Sequence, residues 1–238
     1  MLAPGVSPDG VFDAGRLAEA HATVLSNTSF TTVREERRRY ANGSLRSGYR
    51  RVVRVSAGGE RFDYDLNQTD VRGGRTAETH LARYSNGSVV YAATTRGGVT
   101  TYSTLDGQSV LPERATARSG LARLLGTLRF DVVDRRSVDD RTVYHLAVEN
   151  GSQRVGGLRN VSMNASVRED GLVTAYRLTY GVDGLRVSVR VAFRDVGETE
   201  VVPPAWLPAA RNATEIGTEP SGADASTPTP TAVPAGRA

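Results

Sequence analysis

A mainly β protein of the α+β class, built on a wide antiparallel sheet with two or three helices, is what this sequence predicts. Three observations carry that expectation. Near the C-terminus, Val161, Met163, Ala165 and Val167 alternate with Ser162, Asn164, Ser166 and Arg168, and two further runs repeat the pattern. Period two this regular means one face buried and one face wet. Short Gly-containing turns such as Asn42-Gly43, Asn86-Gly87 and Gly97-Gly98 separate runs of β-prone residues, which is hairpin chemistry. Finally, only two segments show helical spacing among their apolar residues.

Taken in order, Leu2 to Phe12 is Pro/Gly-rich and reads as an extended lead-in. Asp13 is a good N-cap for a helix to about Leu25, with Leu17, His21, Val24 and Leu25 on its apolar stripe. Residues 1–28 are thus lead-in and helix. Ser29–Tyr40 and Leu45–Ala57 flank Asn42-Gly43 as a hairpin, a pairing that sets Glu35 opposite Arg50 and Arg39 opposite Arg46. Further strands are expected at Arg61–Asn67, Thr76–Tyr84, Val89–Thr95 and Val99–Thr104. Pro112–Leu128 is an amphipathic helix, because Leu121, Leu124, Leu125 and Leu128 recur at helical spacing. Strands resume at Arg129–Arg135 and Arg141–Val148 and end in the alternating meander through Phe193. Val201–Ala210, with the single Trp206, closes a domain of residues 29–208. Residues 209–238 read as a disordered Pro/Thr-rich tail.

Every asparagine lies in an N-glycosylation sequon: Asn27, Asn42, Asn67, Asn86, Asn150, Asn160, Asn164 and Asn212. Ser and Thr fill roughly a sixth of the chain, so chance supplies only about one or two such matches. Sequons act on exported chains, so the expected location is outside the cytoplasm. Neither a signal peptide nor a transmembrane stretch is visible, which for an exported chain implies a leader upstream or already removed. The chain has no cysteine, which excludes disulfides, thiolate metal sites and cysteine catalysis. All 30 basic residues are arginine, and the single isoleucine is Ile216, a pattern resembling a coding bias as much as a ligand preference.

Chemistry-bearing patterns are sparse. Asp63-Tyr64-Asp65-Leu66-Asn67 has the opening of a calcium loop, but Gln68 and Gly74 replace the required Gly and Glu, and an amphipathic strand fits better. His21, His80 and His145 lie on separate elements. There is no nucleophile elbow, Walker loop or dinucleotide fingerprint. No catalytic residue, metal ligand or cofactor is therefore nominated. A dispersed hydrolase site would need His80 or His145 near Asp134. Arg34, Arg37, Arg38, Arg39, Arg46, Arg50, Arg51 and Arg54 crowd the first hairpin, either as an anion-binding patch or as a solvated edge. Arg72-Gly73-Gly74 and Arg96-Gly97-Gly98 read as turns, and no nucleic-acid partner is expected.

The buried face is the remaining place for function. Tyr49, Val53, Tyr64, Tyr91, Tyr102, Met163, Tyr176, Leu178, Val189 and Val191 are the candidate ligand-binding residues of an apolar concave side. A packed core is the competing reading of the same residues.

Two sets of residues resemble a known group. Ala3-Pro4-Gly5-Val6-Ser7-Pro8-Asp9-Gly10-Val11, Leu17-Ala18-Glu19-Ala20-His21 and Phe30 form the first. Asp170-Gly171-Leu172, Phe193-Arg194-Asp195-Val196-Gly197 and Pro203-Pro204-Ala205-Trp206-Leu207 form the second. Together they resemble the mature part of haloarchaeal secreted lipoproteins of unknown function. The order of hairpins, helix and meander is similar to the LolA/LppX-type lipoprotein carrier fold over roughly residues 3 to 208. That resemblance implies a strongly curved half-barrel of about 9–11 strands with helices over its concave face. It also implies an acyl chain or other hydrophobic ligand there, and a lipid anchor on a cysteine upstream of this sequence. The expected protein is a monomeric, non-enzymatic cell-surface lipoprotein that binds a lipid. The alternative is an envelope interaction module with a filled core, binding anionic glycans or a protein through its arginine-rich hairpin.

Overall fold

Why the chain makes one large sheet follows from how its two meanders meet. The computed structural model describes residues 2–105, 116–138, 140–148 and 152–216. The first meander is β3 (Phe30–Tyr40), β4 (Leu45–Val55), β5 (Arg61–Arg72), β6 (Arg75–Asn86), β7 (Val90–Arg96) and β8 (Val99–Leu105). The second is β9 (Phe130–Val138), β10 (Arg141–Val148), β11 (Gln153–Val155), β12 (Leu158–Arg168), β13 (Val173–Val182) and β14 (Leu185–Arg194). The first strand of one pairs with the last strand of the other, β3 with β14, from Tyr40↔Leu185 to Thr31↔Arg194. The result is a curved antiparallel sheet of 12 strands that does not close into a barrel and ends at β8 and β9. The mainly β class with few helices is as the sequence predicts.

Three helices accompany the sheet among the described residues. Helix α1 (Ala14–Ser26) starts where expected, with Asp13 Oδ1 accepting the Arg16 N–H at 2.9 Å. Helix α2 (Arg118–Thr127) buries Leu121 and Leu125. The Pro112 start expected for it lies outside the described residues. Both pack on the inner face, joined to each other by the Arg118–Glu19 ion pair. Helix α3 (Leu207–Ile216) runs past the domain end set at 208, so the tail does not begin at 209. It packs on β7 and β8 from the other face, where Tyr84, Val201 and Leu207 form a second small core with Tyr91 and Trp206.

Other boundaries differ for local reasons. The β5–β6 hairpin extends to Arg72↔Arg75, because Gly73 and Gly74 take φ of 56° and 74°, as a two-residue turn requires. Arg39 stands opposite Leu45 rather than Arg46, because a bulge follows Arg38, while Glu35 does face Arg50. The lead-in is not merely extended. Val6–Ser7 (β1) and Gly10–Val11 (β2) pair, and Ala3 and Val6 are buried in the main core. Gly10 lies so close to the chain that a Cβ there would meet Phe130 O at 1.7 Å. Strand β11 had no sequence signal.

Candidate ligand site on the inner face

Strand register lays the inner face out in rows. Ala165, Tyr176, Val191, Arg34, Arg51, Leu66 and Leu81 form one row across β12, β13, β14, β3, β4, β5 and β6. Met163, Leu178, Val189, Glu36, Tyr49 and Gln68 form the next. On the other side, Phe193, Thr32, Val53, Tyr64 and Arg83 form a third. The face therefore changes character at the β14–β3 seam. The second meander contributes hydrocarbon and aromatic side chains. The first contributes guanidinium groups, a carboxylate and phenols, except near the helices, where Phe30, Val55, Phe62 and Val90 continue the apolar floor.

Eight of the ten candidate ligand residues share this inner face. Tyr91 and Tyr102 do not: Tyr91 pairs with Tyr84 under Trp206 on the outer face, and Tyr102 stands opposite Ala93 on that side. Strand β7 buries side chains on both faces, and β8 is exposed except at Tyr102, so an aromatic there need not be concave. Val53, Met163, Tyr176, Leu178, Val189 and Val191 are each at most 7% exposed. That part of the floor is close-packed, and Tyr49 and Tyr64 are half-buried at its rim. A mainly apolar hollow of about 280 Å³ remains beside α1, lined by Ala22, Leu25, Phe30, Val55, Gly58 and Gly59, with Glu19, Thr23, Ser26, Thr116 and Arg118 also on its wall.

The rim is held by a buried carboxylate. Glu36 is 6% exposed. Its oxygens accept from Arg38 Nε at 2.9 Å, Arg34 Nη2 at 3.2 Å and Tyr49 Oη at 3.1 Å, while Arg34 Nε donates to Tyr49 Oη at 2.6 Å. Burial alone would raise the Glu36 carboxyl, but hydrogen bonds from Arg38, Arg34 and Tyr49 outweigh it and hold it below its usual value. The hairpin arginines are therefore not one patch. Arg34, Arg38 and Arg51 face inward, whereas Arg50 faces Glu35 at 3.6 Å and Arg54 binds Asp63 at 2.7 Å on the outer side.

At the helix end of the core, His21 is fully buried. Val173 N–H donates to Nδ1 at 3.2 Å, so the ring proton sits on Nε2, which donates to Thr116 O at 3.0 Å. Burial lowers its pKa from 6.5 to about 4, more than the Thr116 bond restores. Phe193 packs edge-on at 4.6 Å between ring centroids.

The outer face carries the other sequence candidates. Asp63, Asp65 and Asn67 lie along β5, not in a loop, and Asp65 binds His80 Nε2 at 2.6 Å. Among the described residues, no three His, Asp or Glu side chains converge as a metal site. His145 does stand opposite Asp134, and its Nδ1 lies 3.2 Å from Ser166 Oγ. Asp134, however, accepts from Arg136 Nε at 2.6 Å and from Arg135 N at 2.8 Å. Among the described residues no hydrogen bond joins it to His145. Asp134, Arg136, His145 and Ser166 line an open trough of about 690 Å³ with Arg177, Arg190 and Arg194, and Val33, Val133 and Ala192 are among its apolar lining. All seven described sequon asparagines are exposed. Asn42 and Asn86 also cap their turns, accepting Ser44 N–H and Ser88 N–H at 3.0 and 2.9 Å. Asn150 lies outside the described residues. Among the described residues no helix is long and apolar enough to cross a membrane.

No protein-family model and no curated protein sequence matches the chain. Solved structures match it at low identity. LprF from Mycobacterium bovis is 11% identical, with 80% of this chain and 96% of that one covered and a TM-score of 0.43. MucB, solved in complex with MucA(peri), is 19% identical over 81% of this chain and 58% of its own, with a TM-score of 0.33. A putative outer membrane lipoprotein-sorting protein domain from Vibrio parahaemolyticus is 9% identical over 81% and 94%, with a TM-score of 0.27. Likeness at this level assigns no activity to the chain.

Proposed function

We propose that this chain is a non-enzymatic binding protein of the cell exterior that holds a lipid or other hydrophobic ligand between the inner sheet face and α1. The observation that carries this reading is the mainly apolar hollow of about 280 Å³ beside α1, which adjoins the main core at Leu25, Phe30 and Val55. Its volume is near the low end for ligand pockets. A long chain therefore enters by parting α1 from the sheet and replacing protein–protein contacts with protein–ligand ones. Apolar burial supplies the affinity, at roughly 25 cal/mol per Å². The sequons support an exterior location, and an N-terminal lipid upstream of this sequence would hold the protein at the membrane surface.

The test is native mass spectrometry of the purified protein for bound lipid, paired with uptake of a fluorescent acyl probe. Ala22→Trp, which fills the hollow, is expected to abolish uptake while leaving the fold intact. A protein that carries no lipid and takes up no probe would sink the proposal.

A second reading is favoured by the close-packed floor and by the outer trough. In it the protein is an envelope interaction module, and Arg177, Arg190 and Arg194 contact an anionic glycan. It predicts binding to acidic polysaccharide that is lost on replacing these arginines and unaffected by Ala22→Trp.

A further inference from the structure

Among the described residues, three buried side-chain polar atoms have no hydrogen-bond partner: Thr32 Oγ1, Arg51 Nε and Arg83 Nε. All three belong to one patch of the inner face. Thr32 and Arg83 are the flanks of the row Thr32–Val53–Tyr64–Arg83, and Arg51 precedes Val53 by two residues on β4. Thr32 is 3% exposed, so water does not serve its hydroxyl freely. The Arg83 guanidinium leans over the Tyr64 ring, 5.6 Å from its centroid, towards the middle of the patch.

Neutralisation from within is not at hand. Glu36, the acid nearest this patch on the inner side of β3, is already engaged by Arg34, Arg38 and Tyr49. Among the described residues neither Arg51 nor Arg83 has a carboxylate in ion-pair range. Leaving a buried donor unsatisfied is unfavourable, and three on one stretch of the inner face, spread over β3, β4 and β6, call for a partner. Two donors of positive charge and a hydroxyl suit an oxyanion. Thr32 and Val53 are each two residues, roughly 7 Å along a strand, from Phe30 and Val55, which line the hollow.

We infer that the patch of Thr32, Arg51 and Arg83 binds the oxyanion, carboxylate or phosphate, of a ligand whose apolar chain occupies the hollow beside α1. This rests on the hydrophobic-ligand reading above and narrows it to anionic amphiphiles, held head inward and tail towards the helices.

The experiment compares three probes on the delipidated full chain: a long-chain fatty acid, the alkyl phosphate of equal length and the alcohol of equal length. At least one anion is expected to bind about tenfold or more tightly than the alcohol. Whichever anion is preferred identifies the headgroup. The double variant Arg51→Met, Arg83→Met is expected to lose this preference and keep alcohol binding, without a lower melting temperature, since it breaks no ion pair and leaves no buried Nε unsatisfied. Alcohol binding equal to that of both anions in the wild-type chain overturns the headgroup assignment alone. Failure of all three probes overturns the hydrophobic-ligand reading with it.

Discussion

Acidification is expected to weaken this fold through one residue, His21. The ring is fully buried and accepts a backbone N–H at Nδ1, so a second proton has no place without breaking that bond. Its folded-state pKa is about 4 against 6.5 for a free side chain. The fold therefore favours the neutral ring, and the unfolded chain takes the proton first. Stability from this group is complete above pH 6.5, falls as pH drops below it, and is fully lost near the folded-state value of about 4. At 1.36 kcal/mol per pH unit the loss is roughly 3 kcal/mol. Carboxylates also titrate in this window, so a reference is needed. His21→Gln offers an acceptor to Val173 N–H and a donor to Thr116 O but carries no titrating group. Urea unfolding of both proteins at about pH 7.5, 6, 5 and 4 isolates the difference. The wild-type chain should lose roughly 3 kcal/mol more than the variant across that range. Parallel pH profiles for the two proteins would falsify the assignment.

Three further substitutions read other parts of the molecule. Gly10→Ala forces a Cβ into the Phe130 carbonyl at a φ of 113°, so it should cost roughly 3 kcal/mol in thermal or urea unfolding, whereas Gly43→Ala, with φ of 84° and nothing within 4 Å, should cost about 1 kcal/mol. Glu36→Gln keeps the shape but removes the charge that Arg34 and Arg38 share, and should cost about 2 kcal/mol near neutral pH. Because the Glu36 carboxyl is held low in the fold, its contribution is present above the unfolded value and fades as pH falls through the folded one. The gap between the two proteins should therefore narrow in acid, and a constant gap would count against the network.

Much of the architecture was legible because its signals are local. Asp13 caps a helix wherever it stands before one, and Asn42-Gly43 sets the pairing of Glu35 with Arg50. The faces were harder. In Phe-Thr-Thr-Val-Arg-Glu-Glu-Arg-Arg-Arg-Tyr of β3 no alternation separates inside from outside, so Glu36 could not be recognised as buried. Arg51 carried a usable signal. It lies between Tyr49 and Val53, both expected on the concave face, and period two then places Arg51 there as well. Tyr91 and Tyr102 misled because β7 and β8 carry α3 on their outer side, and that helix follows two prolines in a stretch that reads as the approach to a tail. The unpartnered donors Thr32, Arg51 and Arg83 come together only through three strand registers, which no single segment specifies.

The seam between β3 and β14 has a consequence for synthesis. The chain emerges N-terminus first, so the whole first meander exists before Leu185–Arg194 has been made. Until then β3 is a bare edge, 11 residues long, with an unpaired row of backbone donors and acceptors. Its six consecutive charged residues, Arg34 to Arg39, are the composition that deters another chain from adding itself there. Arginines that in the finished molecule line a rim and pair across strands thus also guard the place reserved for the last strand of the sheet.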